Sequence, residues 1–452
     1  MSGSSSSPLI DLAVRVAGWA RDGEQVEAYV AQGTDTEVAV FGGEVESLSS
    51  AESSGIGIRV VTGDRQGFAY AGSLDPDVVA ETLAEARDNA GFASPDEWVG
   101  LAEPDGVAPA ALELWSDELA SFPAEEKVRL ALELEKAVRA GDPRIRQVEA
   151  AEWGDSAFES AVATSTGIRA HTRRTACYLS TFAVAGQGDE TQTGGGYSVG
   201  RAPSELDLAK AAGDAVERST RLLGATKPRS EHLTVVLEPR ITATVLSVLG
   251  GTLQGEAVLK GRSLFADRLG EAVSVGGVTL VDDPTDAEAY GASPFDAEGL
   301  ATRRNVLIED GVLQRFLYNT YSARRAGTVS TASAVRGGFK SRPGSGARAL
   351  ALVPGTRDPE QILADIGDGL LVQSVSGIHS GVNPVSGDFS VGAEGVLVRG
   401  GALAGPVREL TIASTIQRML AGIVGIGNDL ERLPSSAAGL TLAIADVSMS
   451  GI

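Results

Sequence analysis

The run Gly377-Ile378-His379-Ser380-Gly381-Val382-Asn383-Pro384-Val385-Ser386-Gly387-Asp388-Phe389-Ser390-Val391-Gly392-Ala393-Glu394-Gly395 mixes glycines, one histidine and apolar residues without a 3.6-residue period. It therefore predicts a loop feeding a strand, not a helix. Around it, Leu233–Leu237, Val278–Asp282, Arg304–Glu309, Val312–Tyr318, Ala349–Val353, Leu370–Val375, Gly395–Arg399 and Leu440–Val447 also read as strands, with Asp310-Gly311 as a hairpin turn. Helices are predicted over Pro239–Leu253, Pro359–Ile366 and Ile412–Ile423. The glycine-rich segment from Ser333 to Gly346, with Arg336-Gly337-Gly338-Phe339-Lys340 inside it, is expected to be mobile unless something binds it.

Upstream, residues 8–22 read as a first helix, with Leu9, Leu12, Val16 and Trp19 on one side. Val26–Val30, Glu37–Phe41, Gly55–Val61 and Gln66–Ala71 read as strands, and Asp75–Ala90 as a helix. The pattern then repeats: helix Pro123–Ala140, strands Arg146–Trp153, Ser156–Thr164, Gly167–Ala176 and Cys177–Gly186, and a helix over Glu205–Leu223. Ser54-Gly55-Ile56-Gly57-Ile58-Arg59 and Thr166-Gly167-Ile168-Arg169 open strands at corresponding places in the two halves. The polar linker Ala225-Thr226-Lys227-Pro228-Arg229-Ser230 sets a boundary between an N-terminal domain, 1–228, and a C-terminal domain, 229–452. The expected class is α+β: two domains, an N-terminal α/β domain of two similar helix–sheet–helix units and a C-terminal antiparallel-sheet-rich domain.

A chain of 452 residues exceeds one compact core. The 56 glycines exceed the roughly 7% of an average protein and favour turns and close backbone approaches over helix bundles. With 38 Lys and Arg against 60 Asp and Glu, the net charge of −22 opposes nucleic acid and anionic membranes. Cys177, the single cysteine, allows no intrachain disulfide and no thiolate-rich metal site, which fits a reducing cytoplasm. Met1 to Ser7 lacks the features of a signal peptide, and no apolar run approaches the roughly 20 residues of a membrane span.

A hydrolytic metal needs several ligands at helical spacing with a carboxylate base, and the three histidines, His171, His232 and His379, lie far apart without such a run. His379 reads as a proton shuttle near Asp388, as a loop histidine bonding the backbone, or as a peptide contact. The glycine-rich strand of Gly377–Gly395 offers an edge on which an extended peptide could add main-chain hydrogen bonds. Asp296, Glu298, Asp388 and Glu394 read as turn and capping residues, since nothing in the sequence pairs them as in a glycosidase. Ser380 and Ser386 are in no nucleophile elbow. Gly194-Gly195-Gly196-Tyr197-Ser198-Val199-Gly200 lacks the Lys-Ser/Thr end of a phosphate loop and reads as a flexible hairpin.

Together with Pro294-Phe295-Asp296-Ala297-Glu298-Gly299, Tyr321-Ser322-Ala323-Arg324-Arg325 and Gly427-Asn428-Asp429-Leu430, the opening run resembles the TldD/PmbA family, and more narrowly its PmbA (TldE) branch. Catalytic TldD-type members carry a His-Glu-x-x-x-His run on the first helix of the C-terminal domain. Aligned through Leu253-Gln254-Gly255-Glu256 and Gly261-Arg262-Ser263, those positions fall here on Leu246, Ser247 and Gly251. The C-terminal cysteine of such members has no counterpart in Pro434-Ser435-Ser436-Ala437-Ala438-Gly439. The resemblance implies a metal-free subunit that pairs with a TldD-like, zinc-bearing subunit, as a cytoplasmic dimer acting on flexible peptides. Gly377, His379, Asn383 and Asp388 are then the expected substrate-facing residues, with no catalytic residue and no metal ligand in this chain. A stand-alone homodimeric peptide-binding protein and an independent hydrolase with an unrecognised site are the alternatives.

Overall fold

The computed structural model describes residues 7–188 and 190–452, so the signal-peptide reading of Met1 to Ser6 lies outside the described residues. The N-terminal domain runs α1 (Pro8–Ala17), β1 (Glu24–Phe41), β2 (Glu44–Thr62), β3 (Arg65–Ala71), α2 (Pro76–Phe92), α3 (Asp117–Ala120), α4 (Ala124–Gly141), β4 (Ile145–Thr164), β5 (Arg169–Gln187), β6 (Glu190–Gly200) and α5 (Leu208–Thr220). Its two helix–strands–helix units share one antiparallel sheet of order β3-β2-β1-β4-β5-β6, joined through β1 and β4. Local signals set the helix starts. Ser7 Oγ accepts from Leu9 N, Asp75 Oδ1 accepts from Asp77 N, and proline opens both helices.

Three pairs of short expected strands are each one long strand. Gly33 to Thr36, read as a break, pair on both sides, with Gly33 between Ser53 and Phe158, so ladder bonds on two flanks override the turn-forming composition. The first helix ends at Ala17 instead of residue 22, as Trp19 N and Ala20 N turn to i−3 acceptors, Val16 O and Ala17 O, and Gly23 at φ 76° then leads the chain into β1. All four long helices cover one sheet face. α1 and α2 bury Leu9, Val16, Val79 and Leu83 against Val26, Ile56 and Ile58, and α4 and α5 bury Leu134, Val138 and Ala215 against Val38, Trp153 and Leu179. The triple-glycine run is not a flexible hairpin but edge strand β6 beneath α5. A Cβ on Gly196 would lie 1.9 Å from Ala211 O, and one on Gly194 2.3 Å from Ser219 N.

The C-terminal domain continues with β7 (Glu231–Leu237), α6 (Pro239–Thr252), α7 (Gly255–Leu259), β8 (Leu280–Asp282), β9 (Asn305–Glu309), β10 (Val312–Leu313), α8 (Thr320–Arg325), β11 (Ala334–Val335), β12 (Gly344–Ser345) and β13 (Leu350–Leu352). It ends with α9 (Pro359–Ile366), β14 (Gly369–Ser376), α10 (Ile378–Gly381), β15 (Asp388–Arg399), β16 (Ala402–Thr415), α11 (Ile416–Ala421), β17 (Ile423–Ile426) and β18 (Leu442–Ser450). The main sheet has the order β16-β15-β14-β7-β18-β17, and a further pairing of β16 with β18 curls it back on itself. Only β7 and β14 pair in parallel there. α6 buries Leu246 and Leu249 in the core with Leu370, Val372 and Ile444. Asp310 and Gly311 have the expected left-handed backbone, φ 47° and 82°. The helix expected over Ile412–Ile423 is strand to Thr415, one short helix, then strand again, since Ile412 and Ala413 pair with both β15 and β18. Among the described residues, no helix is long and apolar enough to cross a membrane.

Candidate functional site

The sheet face opposite the helices carries Glu27 and Tyr29 of β1, Gly55, Gly57 and Arg59 of β2, Phe158 and Val162 of β4, and Ala170 and Arg174 of β5. Ladder register places Arg59 across from Glu27, and both Gly57 and Val162 across from Tyr29. Segments 294–302 and 330–339 of the C-terminal domain lie on this face, where Leu300, Ala332, Phe295 and Phe339 join Tyr29, Val162 and Ala170 in one apolar cluster. The glycines at 55 and 57 make room for this. A Cβ on Gly55 would lie 2.4 Å from the Phe339 ring, and one on Gly57 2.3 Å from Phe339 O. The Ser333–Gly346 loop is therefore held by the N-terminal sheet, not left free.

Charges are buried beside this cluster. Arg59 Nη2 lies 2.5 Å from Glu27 Oε2 and 3.5 Å from Glu298 Oε1, with all three side chains nearly inaccessible. Arg336 Nη2 donates to Glu27 Oε1 at 2.9 Å and to Ala297 O at 2.5 Å, and its guanidinium lies 4.4 Å from the Tyr29 ring centroid. Glu298 Oε2 accepts from Thr320 N at 2.8 Å. Burial would push the Glu27 carboxyl up, but Arg59 and Arg336 outweigh it and hold it below the usual range. Asp296 goes the other way, raised by burial and then by Glu298, although Oδ1 accepts from Glu298 N and Leu300 N and Oδ2 from Ala334 N. Burial also raises Asp282 to about 6; its Oδ1 accepts from Arg348 N and Ala349 N, while Oδ2 has no partner.

Two contacts from the Tyr321–Arg325 segment fasten the same interface. Tyr321 Oη donates to Asp96 Oδ2 at 2.9 Å, and Arg324 Nη2 donates to Leu101 O at 2.9 Å. Next to the ion pairs opens a cavity of about 250 Å³, lined by Arg173, Arg174, Asp296, Arg336 and Arg348 and walled by Phe158, Val162 and Phe295.

The structure brings together Asp296, Glu298, Arg336 and the Tyr321–Arg325 segment, but sets Gly377, His379, Asn383 and Asp388 apart, on the β14–β15 connection. Asp296 has the turn role expected of it, whereas the ion pair of Glu298 with Arg59 was not expected. Gly377 takes the left-handed conformation, φ 77°, ahead of α10, on which His379 is exposed. Asn383 and Asp388 brace the turn. Asn383 N donates to Asp388 O, Asn383 Oδ1 accepts from Val385 N, and Ser386 Oγ donates to Asp388 Oδ2 at 2.6 Å. The free edge expected on this run is absent, because β15 pairs with β14 on one side and β16 on the other. Of the three histidines, His171 pairs with Glu159 at 2.7 Å and His232 with Asp446 at 3.3 Å, each in its own surroundings.

On α6, Leu246 is buried, Ser247 Oγ donates to Ala243 O, and Gly251 offers no side chain. Among the described residues no group of three or more His, Cys, Asp or Glu is placed to hold a metal ion. The donor set does not fit a zinc centre.

Family models match nearly the whole described chain: the PmbA/TldA metallopeptidase domain 1 over residues 26–90, the central domain over 117–223 and the C-terminal domain over 230–451. The chain is 29% identical to a metalloprotease PmbA of Escherichia coli O157:H7 over 434 residues, covering 96% of this chain and 93% of that one. It is 26% identical to a metalloprotease PmbA homologue of Haemophilus influenzae, with 96% and 93% covered. The solved structure of TldE from Thermococcus kodakarensis superimposes with a TM-score of 0.86 at 25% identity, covering 94% of this chain and 97% of that one.

Proposed function

This chain belongs to the PmbA/TldD metallopeptidase family, and on that premise we propose that it is the metal-free subunit of a heteromeric, cytoplasmic zinc peptidase that processes flexible peptides. A TldD-like partner supplies the zinc, and this chain helps enclose the peptide. The observation that carries the reading is α6. The scaffold around it is intact, yet Leu246, Ser247 and Gly251 present a core side chain, a hydroxyl bonded back to its own helix and no side chain at all. None can ligate zinc or take a proton from a metal-bound water. On the β14–β15 connection, Asn383 and Asp388 shape the turn that displays His379. That ring has no hydrogen-bond partner among the described residues, and we assign it to contact with the peptide or the partner.

The test is zinc content and peptide turnover of the purified chain, alone and mixed with a family member that carries the His-Glu-x-x-x-His run. The chain alone should hold no stoichiometric zinc and cleave nothing, and the mixture should cleave. About one zinc per chain, or chelator-sensitive hydrolysis by the single chain, overturns the proposal.

A further inference from the structure

The cavity between the domains is unbalanced in charge. Four arginines line it, Arg173, Arg174, Arg336 and Arg348, against one acidic residue, Asp296. Both Asp296 oxygens already accept main-chain N–H groups, so neither answers an arginine by hydrogen bond. Arg336 is partly compensated by Glu27, but its side chain is 2% exposed and its Nε and Nη1 have no partner. Arg348 Nε is likewise sealed from solvent without a partner. Arg173 and Arg174 form no ion pair among the described residues; they lie over the Trp115 and Phe158 rings at 5.1 and 5.8 Å. Burial, and then repulsion from Arg174, lower the basicity of Arg348, as crowded like charges must. Buried donors left unpaired are costly, and each calls for an explanation.

We propose that this cavity is a carboxylate-binding site, with Arg348 and Arg174 as the ligand's ion partners and the buried charge of Arg336 adding to the positive field behind them. A planar guanidinium matches a carboxylate in bidentate fashion. The walls of Phe158, Val162 and Phe295 favour a ligand with an apolar body beside its charge. At about 250 Å³ the space admits one residue, not a folded partner. A carboxylate of that size is offered by the end of a peptide or by an acidic side chain. Arg173 and Arg174 are exposed while Arg336 is buried, so a ligand would enter past the first pair toward the last. The inference stands on the cavity alone and holds with or without a second subunit.

The experiment is calorimetric titration of the isolated chain with four probes: N-acetyl-phenylalanine, its amide, N-acetyl-aspartic acid α-amide, whose side-chain carboxyl is free, and inorganic phosphate. The free acid should bind, with the amide at least about tenfold weaker, as expected when a charge-assisted pair is lost. Tighter binding of the aspartyl probe would assign the site to acidic side chains, similar strength to carboxylates of either source, and its failure to peptide termini; all three uphold a carboxylate site. Arg348→Gln and the exposed Arg174→Gln should each weaken the acid about tenfold while the melting temperature of the second stays near wild type. Equal binding of acid and amide, binding of phosphate alone, or no loss in either variant overturns the proposal.

Discussion

The interdomain cleft and the Gly377–Asp388 turn both gather polar residues, and they are built on opposite plans. In the cleft the ion-paired charges are buried, and each depends on a partner far away in the chain: Glu27 on Arg336, Arg59 on Glu298. In the turn the polar groups are exposed and bond neighbours a few residues away. Removing one member of the first set strands the others in a dry environment, whereas removing one member of the second returns a donor to water. Concentration of glycine and polar residues in sequence marked the turn. The more heavily constrained site was assembled from residues scattered between positions 27 and 348.

The sharpest way to break this comparison is Arg59→Ala, which leaves Glu27 and Glu298 facing each other without their shared cation. Denaturant unfolding should show a loss of about 3–5 kcal/mol, and a loss below 1 would mean the cleft is no more demanding than the turn. Asp282→Asn tests burial through pH. The carboxyl is raised from its ordinary value to about 6, so ionising it costs stability as pH climbs between roughly 4 and 6, and the full penalty persists above. Thermal melts should therefore move in favour of the variant by about 1–3 kcal/mol from pH 4 to pH 8, relative to wild type. A pH-independent difference would show that Asp282 titrates normally. Phe339→Ala removes the ring seated over Gly55 and Gly57, with an expected cost of about 1–3 kcal/mol because the ring is only half-buried. In the turn, Asn383→Ala should cost about 1 kcal/mol by losing the bond to Val385 N, and His379→Ala under about 0.5. If His379→Ala lowers peptide turnover in the two-subunit mixture while stability holds, the turn is functional and not only structural.

The class, the two-unit N-terminal domain and most helices were legible because their signals are local: a capping Asp75 before Pro76, or Asp310-Gly311 between apolar runs. Strand length was not. Gly33-Thr34-Asp35 has turn composition, and only pairing with β2 and β4 makes it strand. The cleft had one readable trace, the alternation Gly55-x-Gly57-x-Arg59, in which two side chains are missing from the face that also carries a charge. That spacing says something approaches closely there, but not that it is Phe339. Glu298 could be read as a turn residue, and nothing near it in the sequence points to Arg59.

The reach of the cleft bonds also orders events during synthesis. Glu27 and Arg336 are 309 residues apart, so at roughly 5–20 residues per second the ribosome needs on the order of 15–60 s after making the first to make the second. For that interval the first sheet can form its helix-covered face, but its other face waits, with Arg59 and Glu27 paired only to each other. A ladder arrangement that is complete on one side and unfinished on the other is a natural substrate for holding chaperones. Nascent chains arrested before Gly299 should accordingly stay chaperone-bound, whereas chains arrested well beyond Arg348 should release.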